Sequence, residues 1–198
     1  MNRPNPSGGP EPAPVPLTAA SRASLLRMAR SAIAGYLATR RTPDATAMGI
    51  PIADDMRQPG GAFVTLHKRG ALRGCIGELD PERPLFEVVL HHALNAAFKD
   101  PRFPPVGPEE LDALHIEISA LTPPVPVESW EDIEVGHHGV ILRHGRASAV
   151  FLPQVAEEQG WDLETMLGYL SRKAGLDADA WQSPEARFRV FEATVFGE

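Results

Sequence analysis

Two strand–turn–strand patterns constrain the fold more than any other feature of this sequence. Residues 61–67 and 71–79 both favour β structure and are separated by only Lys68-Arg69-Gly70. A second pair, 140–142 and 147–152, flanks residues 143–146. Strands joined by so few residues must pair antiparallel, because a parallel connection needs a crossover of a dozen residues or more. The sequence therefore predicts hairpins and excludes a regular parallel βαβ array.

Helical patterns lie between these hairpins. A helix capped by Thr18 or Ser21 is predicted to run to about Thr39, and a second to begin at Pro84. Asp162 is predicted to cap a third. Apolar and polar residues alternate strictly at 114–120, and an apolar run occupies 187–196; each pattern predicts a strand. The proline-rich residues 122–127 are predicted to form a connector. We expect an α+β fold with a mixed or antiparallel sheet and packed helices.

Composition narrows the class of protein. The 198 residues are 43% hydrophobic, enough for a sizeable core, and carry 26 acidic against 19 basic side chains. That acidic balance argues against nucleic acid as a partner, since such proteins carry basic faces. One cysteine excludes an intrachain disulfide, and no apolar run approaches the ~20 residues that cross a bilayer. We expect a cytoplasmic protein, with a disordered Pro/Gly-rich tail at 1–17 and a domain at 18–198.

The segment Arg73-Gly-Cys-Ile-Gly77 is the most unusual in the chain. Glycine inside a strand usually marks a bulge or the close approach of a backbone or ligand. On a regular strand Arg73 shares a face with Cys75, where its charge favours the nucleophilic thiolate. Free cysteine is also among the most buried and inert residue types, so a packing role is the competing interpretation.

Other side chains are candidates for the same chemistry. His138, beside His137 in a glycine-flanked loop, is a candidate base, and Glu117 projects from the polar face of its strand as a candidate general acid or base. Arg102, in a proline-flanked loop, can bind a substrate carboxylate or phosphate, or tie the loop down through Asp100. No histidines show the i, i+4 spacing of a zinc motif, and we predict neither a metal nor a cofactor.

The chain resembles the AMMECR domain family, the family of the AMME syndrome candidate gene product, called AmmeMemoRadiSam system protein A in prokaryotes. The resemblance spans 21–196 and rests on six segments in order, at 61–66, 72–77, 96–103, 115–119, 136–139 and 152–156. The Leu-Arg-Gly-Cys-Ile-Gly sequence at 72–77 is the family hallmark. The resemblance implies a larger and a smaller subdomain with a cleft between them, and a genetic association with a Memo-like protein and a radical S-adenosylmethionine enzyme. It implies no particular reaction.

The same resemblance assigns residues. It places the family's cysteine at Cys75, its arginine at Arg73 and its loop histidine at His138. Many prokaryotic relatives have a second cysteine where this chain has Ser171, which argues against a two-thiol redox mechanism.

Two hypotheses follow. In the first, the protein is a cleft enzyme, or an enzyme subunit, that acts on a small molecule bearing a carbonyl or carboxylate. Cys75 is then the nucleophile, with His138 and Glu117 as further catalytic residues. The substrate-binding residues are predicted to be Arg73, Gly74, Gly77 and Arg102. In the second, the protein is a non-catalytic module that binds a ligand or a partner, and Arg73, Cys75 and Gly77 are structural. RNA recognition is a third, weaker alternative.

Overall fold

The computed structural model describes residues 16–79 and 82–198. In these ranges there are five α-helices: α1 (Ala19–Thr39), α2 (Asp54–Arg57), α3 (Leu85–Phe98), α4 (Pro153–Gln159) and α5 (Leu163–Lys173). The strands of the same ranges are β1 (Ala62–Lys68), β2 (Ala71–Glu78), β3 (Leu114–Leu121), β4 (Val125–Val127), β5 (Gly139–His144), β6 (Ala147–Phe151), β7 (Arg187–Phe191) and β8 (Ala193–Gly197). Short 3-10 helices occupy Thr46–Met48, Pro108–Ala113, Trp130–Asp132 and Ala180–Gln182.

The strands form two separate four-stranded sheets. The orders are β2-β1-β3-β8 and β4-β7-β5-β6, and every strand pairing in the described residues is antiparallel. Helices α1 and α3 pack on one face of the first sheet, whereas α4 and α5 contact strands of the second. The predicted α+β class with antiparallel pairing is confirmed.

Each sheet has its own hydrophobic core. In the larger part, Leu25, Met28 and Ile33 of α1 meet the inward side chains of β1 and β3. Each such side chain stabilises the fold by about 1.5–3 kcal/mol when it is fully buried. In the smaller part, Met166, Leu167 and Leu170 of α5 are buried on the second sheet. The predicted larger and smaller subdomains correspond to these two cores.

The chain crosses between the two parts twice, at 122–124 and at Glu192. Thr122 N–H donates to the Glu192 carbonyl at 3.0 Å, and Glu192 N–H donates to Thr122 Oγ1 at 2.9 Å. These bonds join the β3–β8 ladder to the β4–β7 ladder, so the crossings form one two-stranded connection. The smaller part is thus an insertion between β3 and β8.

Several sequence predictions are confirmed and others are corrected. Thr18 caps α1, accepting from Ser21 N–H, and Asp162 caps α5. Pro84 is the N-cap of α3 and not its first helical residue. The single strand predicted at 187–196 is two strands in different sheets, divided at Glu192, and the predicted connector at 122–127 contains β4.

Of the predicted tail at 1–17, residues 1–15 lie outside the described residues. No helix in the described residues is both long enough and apolar enough to span a membrane.

Candidate functional site

Cys75 lies on β2, at the edge of the first sheet, in a row of side chains that crosses three strands. It pairs with Thr65 on β1, which pairs in turn with Glu117 on β3. Val64 and Ile118, the next residues along β1 and β3, are fully buried in the core, so the row points away from α1 and α3. Thr65 Oγ1 donates to Cys75 Sγ at 3.3 Å, and the cysteine is half-buried. The thiol therefore lies on a polar face of the sheet.

Glu117 belongs to this row but is not in contact with the thiol. Neighbouring strands are about 4.8 Å apart, so the backbones of Cys75 and Glu117 are separated by roughly 10 Å. Within the described residues Glu117 has neither a hydrogen bond through its side chain nor an ion pair. The row could hold a small molecule between the carboxylate and the thiol, with Thr65 beneath it.

The backbone of Cys75 is held by the loop that follows α3. Its N–H donates to Asp100 Oδ2 at 2.9 Å, and its carbonyl accepts from Arg102 Nη2 at 3.1 Å. Edge strands leave such groups unpaired, and here an aspartate–arginine pair satisfies both. Because Cys75 uses these groups outside the sheet, it and Thr65 form a non-hydrogen-bonded pair, in which side chains lie closest.

Asp100 and Arg102 are a tightly bonded ion pair. Asp100 Oδ1 accepts from Arg102 N and Nε at 3.1 and 2.9 Å, and Oδ2 accepts from Nη2 at 2.7 Å. The Arg102 bond lowers the pKa of Asp100 far below its usual range, against the effect of burial, and the Cys75 N–H lowers it further. The carboxylate side chain is only 1% exposed, so Asp100 is a buried, ionised anchor.

Arg102 places a cation next to the thiol. The bond to Asp100 raises the pKa of Arg102, and the charge of a Cys75 thiolate would raise it further. The arginine side chain is 53% exposed. Its Nη1 makes no hydrogen bond within residues 16–79 and 82–198, so one side of the guanidinium faces solvent beside Cys75. Both roles considered for Arg102, tying down the loop and presenting a charge to a ligand, are compatible with this geometry.

A β-bulge separates Arg73 from the cysteine. Leu66 pairs with Gly74 and His67 with Leu72, which leaves Arg73 as an extra residue. The bulge breaks the alternation on which the expected placement of Arg73 beside Cys75 depended.

The guanidinium of Arg73 instead forms hydrogen bonds with the loop that contains Pro104 and Glu110. It donates to Glu110 from Nε and Nη2 at 3.0 and 2.9 Å, and to the Pro104 carbonyl from Nη1 at 2.9 Å. The bond from Arg73, together with one from Lys68, lowers the pKa of Glu110 far below its usual range. The Arg73 side chain thus has a structural anion and a carbonyl as partners, and its predicted role in substrate binding stays a prediction.

The two glycines of the hallmark segment admit close neighbours. A Cβ on Gly74 would lie 2.2 Å from the Ala96 carbonyl oxygen of α3, so this glycine allows the helix backbone to approach the sheet. A Cβ on Gly77 would lie 2.4 Å from both the Ala62 carbonyl oxygen and the Phe63 ring. Phe63 shares the outward face with Thr65, so Gly77 makes room for an aromatic ring near the cysteine. These contacts provide packing reasons for both glycines; their predicted contact with substrate stays a prediction.

His138 forms hydrogen bonds within its own loop, to the backbone of Glu134. Glu134 N–H donates to His138 Nδ1 at 3.0 Å, and His138 N–H donates to the Glu134 carbonyl at 2.9 Å. A neutral ring that accepts at Nδ1 carries its proton on Nε2 and presents a donor there. The structure records no contact between His138 and Cys75 in the described residues. Its role as a base stays a prediction and requires the Glu134 bond to open.

Two residues of the site were not assigned by the sequence. Thr65 was one polar residue in an otherwise ordinary strand, and only the pairing register places it against Sγ. Asp100 was named as a partner for Arg102, but its bond to the Cys75 backbone depends on how the loop folds. The described residues contain no group of three or more histidine, cysteine, aspartate or glutamate side chains arranged to hold a metal ion.

Together these features define an α+β protein of two antiparallel sheets, with a half-buried cysteine on an edge strand held by an aspartate–arginine pair. The AMMECR1 family model matches residues 26–196, and the chain belongs to the AMMECR1 family. The resemblance inferred from the sequence is thus confirmed.

Similar proteins occur in archaea. A protein of Methanothermobacter thermautotrophicus is 45% identical over 192 residues, which cover 92% of this chain and 97% of the relative. A Methanopyrus kandleri protein is 43% identical over 183 residues, covering 88% and 86%. The crystal structure of an uncharacterized protein from Pyrococcus horikoshii superimposes with a TM-score of 0.78 at 40% identity, covering 88% of this chain and 89% of that one.

Proposed function

We propose that this AMMECR1-family protein is an enzyme, or an enzyme subunit, in which Cys75 is the nucleophile for a small molecule bearing a carbonyl or carboxylate group. The observation that carries the proposal is the position of the half-buried Cys75 on a polar face of the sheet, with the exposed Arg102 guanidinium bonded to its backbone carbonyl. The thiolate is the nucleophilic form of cysteine, and the exposed guanidinium can hold an anionic group of a substrate beside it. A purely structural cysteine is more often enclosed by apolar side chains.

Each neighbour has a role in this proposal. Thr65 donates a hydrogen bond to Sγ and orients it, and the exposed Nη1 of Arg102 binds a substrate carboxylate. When Sγ adds to a carbonyl carbon, a carbon–sulfur bond forms and the carbonyl π electrons move to oxygen. The thiol proton ends on that oxygen, so no further reactant is needed. Glu117, across the row from Sγ, is the group that can deliver a proton to the carbonyl oxygen of a substrate lying between them.

A non-catalytic binding module is the second candidate, and specific contacts favour it. Arg73 is bonded to Glu110 and Pro104, and Gly74 and Gly77 are explained by packing. In this alternative the role of the hallmark segment is to pack α3 and the loop at 99–110 against the sheet. The difference between the two candidates is whether Sγ itself is reactive.

The association with a Memo-like protein and a radical S-adenosylmethionine enzyme is implied by the family resemblance. It stays a prediction, as does the cytoplasmic location.

The first test compares two alkylating reagents that are nearly equal in size but differ in charge. Iodoacetate is an anion and iodoacetamide is neutral, and because the chain has one cysteine every label is on Cys75. We expect the rate ratio of iodoacetate to iodoacetamide in the folded protein to exceed that of the unfolded chain by about fivefold. This corresponds to the roughly 1 kcal/mol of attraction between unit charges at contact distance in water.

Matched variants assign the effect to Arg102. Arg102→Gln should return the ratio to the unfolded value, whereas Arg102→Lys should retain part of it. The exposed Arg41→Gln, which removes the same charge elsewhere, should leave it unchanged. The proposal fails if Cys75 reacts only when the protein unfolds, or if Arg41→Gln and Arg102→Gln lower the ratio equally. Thermal melting of each variant confirms that the rates refer to folded protein.

A further inference from the structure

A cavity of about 340 Å³ lies beside the two crossing segments, at the opposite end of the first sheet from the Arg73 bulge. Its walls include Gln58, Leu85, Leu121 and Thr122. Ala120, also in the wall, is three residues along β3 from Glu117, or about 10 Å. Ala120 is a core position on the opposite face of the sheet from Cys75, and Leu121, the next residue, is four residues from Glu117, so the cavity lies at the end of the strand. This cavity is therefore distinct from the Cys75 site, and its volume is within the range of small-molecule sites.

The charged residues that line the cavity in the described part of the chain are acidic. Asp55 and Glu192 are among its lining residues, and within the described part of the chain the lining includes no lysine, arginine or histidine. Asp55 accepts from Thr18 N–H at 3.0 Å and from the Ser21 hydroxyl at 2.7 Å. Burial opposes its ionisation, but these hydrogen bonds outweigh that effect and lower the pKa of Asp55. Two of the roughly four acceptor positions of this carboxylate are used by the start of α1, and the backbone N–H groups of Asp55 and Met56 also contribute to its lowered pKa.

Glu192 is held at the mouth of the cavity by its backbone. Its N–H donates to Thr122 Oγ1, and its carbonyl accepts from Thr122 N–H. The side chain is 57% exposed, and His137 Nε2 lies 3.4 Å from Oε1. Asp55 and Glu192 are thus both wall residues of a cavity whose remaining walls include Leu85, Leu121 and Pro59.

We propose that this cavity is a binding site for a small organic cation, an ammonium group attached to a compact apolar body. The ammonium contacts Asp55 and Glu192, and the apolar body lies against Leu85 and Leu121. An anion of the same shape is disfavoured because the lining, within the described residues, contains two acidic side chains and no basic one, an arrangement that confers specificity. The proposal is independent of any reaction at Cys75.

The test uses three probes with the same phenyl body: 2-phenylethylamine, 2-phenylethanol and 3-phenylpropanoate. Calorimetric titrations of the full-length protein at pH 8, where histidine side chains are ordinarily neutral, should show binding of the amine alone. Glu192→Gln should weaken this binding about tenfold, the effect of losing one charge-assisted hydrogen bond. Glu164→Gln, an equal change of charge in the first turn of α5, should have no effect.

Amide NMR spectra locate the bound amine. Shift changes should be centred on Gln58, Gly60 and Thr122, and the Cys75 amide should not move. Asp55→Asn should also weaken binding, but it removes acceptors that hold the start of α1, so Glu192→Gln is the decisive variant. The proposal is overturned if the alcohol or the carboxylate binds as tightly as the amine. It is also overturned if Glu164→Gln weakens binding as much as Glu192→Gln, or if the shifts are centred elsewhere.

Discussion

Replacing Asp100 with asparagine removes the charge but nearly keeps the shape of the side chain that holds the backbone of Cys75. The native carboxylate accepts four hydrogen bonds, one from Cys75 N–H and three from Arg102. Asparagine has one acceptor oxygen, and its NH2 group would face N–H donors of Cys75 or Arg102, with which it cannot form a hydrogen bond. At least one buried N–H then loses its partner, at a cost of about 1–3 kcal/mol.

The charge adds to this cost. Breaking a fully buried ion pair costs about 3–5 kcal/mol, but the side chain of Arg102 is 53% exposed and water can solvate it. We therefore expect Asp100→Asn to lower the free energy of unfolding by about 2–3 kcal/mol at pH 7. Urea unfolding followed by tryptophan fluorescence measures this difference directly, provided that the slope with urea is unchanged.

The pH dependence gives a second, independent measure. Because the pKa of Asp100 is lowered in the folded protein, its contribution to stability is fully present above the unfolded pKa and is lost as the pH falls towards the folded value. The gap between wild type and Asp100→Asn should be constant from pH 8 to 5 and shrink by roughly 1 kcal/mol between pH 5 and 3. Other acidic groups titrate in both proteins and cancel. Equal stabilities at pH 7, or a gap that does not shrink in acid, would refute the assignment of Asp100 as an ionised anchor.

Two further predictions concern the hallmark segment. Gly74→Ala should destabilise the protein by about 3 kcal/mol, because its Cβ meets the backbone of α3, whereas Gly168→Ala, whose Cβ has ordinary space within α5, should stabilise it by about 0.5–1 kcal/mol in the same urea assay. Cys75→Ser and Cys75→Ala should agree in stability within about 0.5 kcal/mol, as expected at a half-exposed polar face, and a serine variant less stable by 1–3 kcal/mol would indicate a dry structural site.

Local patterns predicted most of the fold. The hairpin of β1 and β2 follows from its turn, in which Arg69 and Gly70 both have positive φ, of 54° and 79°. The caps Thr18 and Asp162 and the alternation of β3 were equally visible. The division of residues 187–196 between two sheets could not be seen in the sequence. A continuous apolar run does not reveal that its partner strands change from β5 and β4 to β3.

The site was harder to predict because it depends on one extra residue. Regular pairing outward from Lys68 and Ala71 would place Cys75 opposite Val64, a residue of the buried core. The bulge at Arg73 shifts the register by one, and a shift of one residue transfers a side chain to the other face of the sheet. Cys75 therefore pairs with Thr65 and points outward. The two glycines suggested an irregularity, but the side chain that gained access to solvent could not be inferred from them.

This register shift bears on the choice between an enzyme and a packing device. The bonds from Asp100 and Arg102 reach the backbone of residue 75, which any amino acid would present, so they do not account for a thiol at this position. Gly74 and Gly77 explain the approach of α3 and Phe63, but neither contact involves Sγ. The cysteine side chain itself accepts a hydrogen bond from Thr65 on a half-buried polar face, near the Arg102 guanidinium. A side chain that only filled space would be served as well by alanine or valine. The bulge instead moves a thiol out of the core and into a row of polar groups, and this arrangement favours chemistry at Sγ over packing.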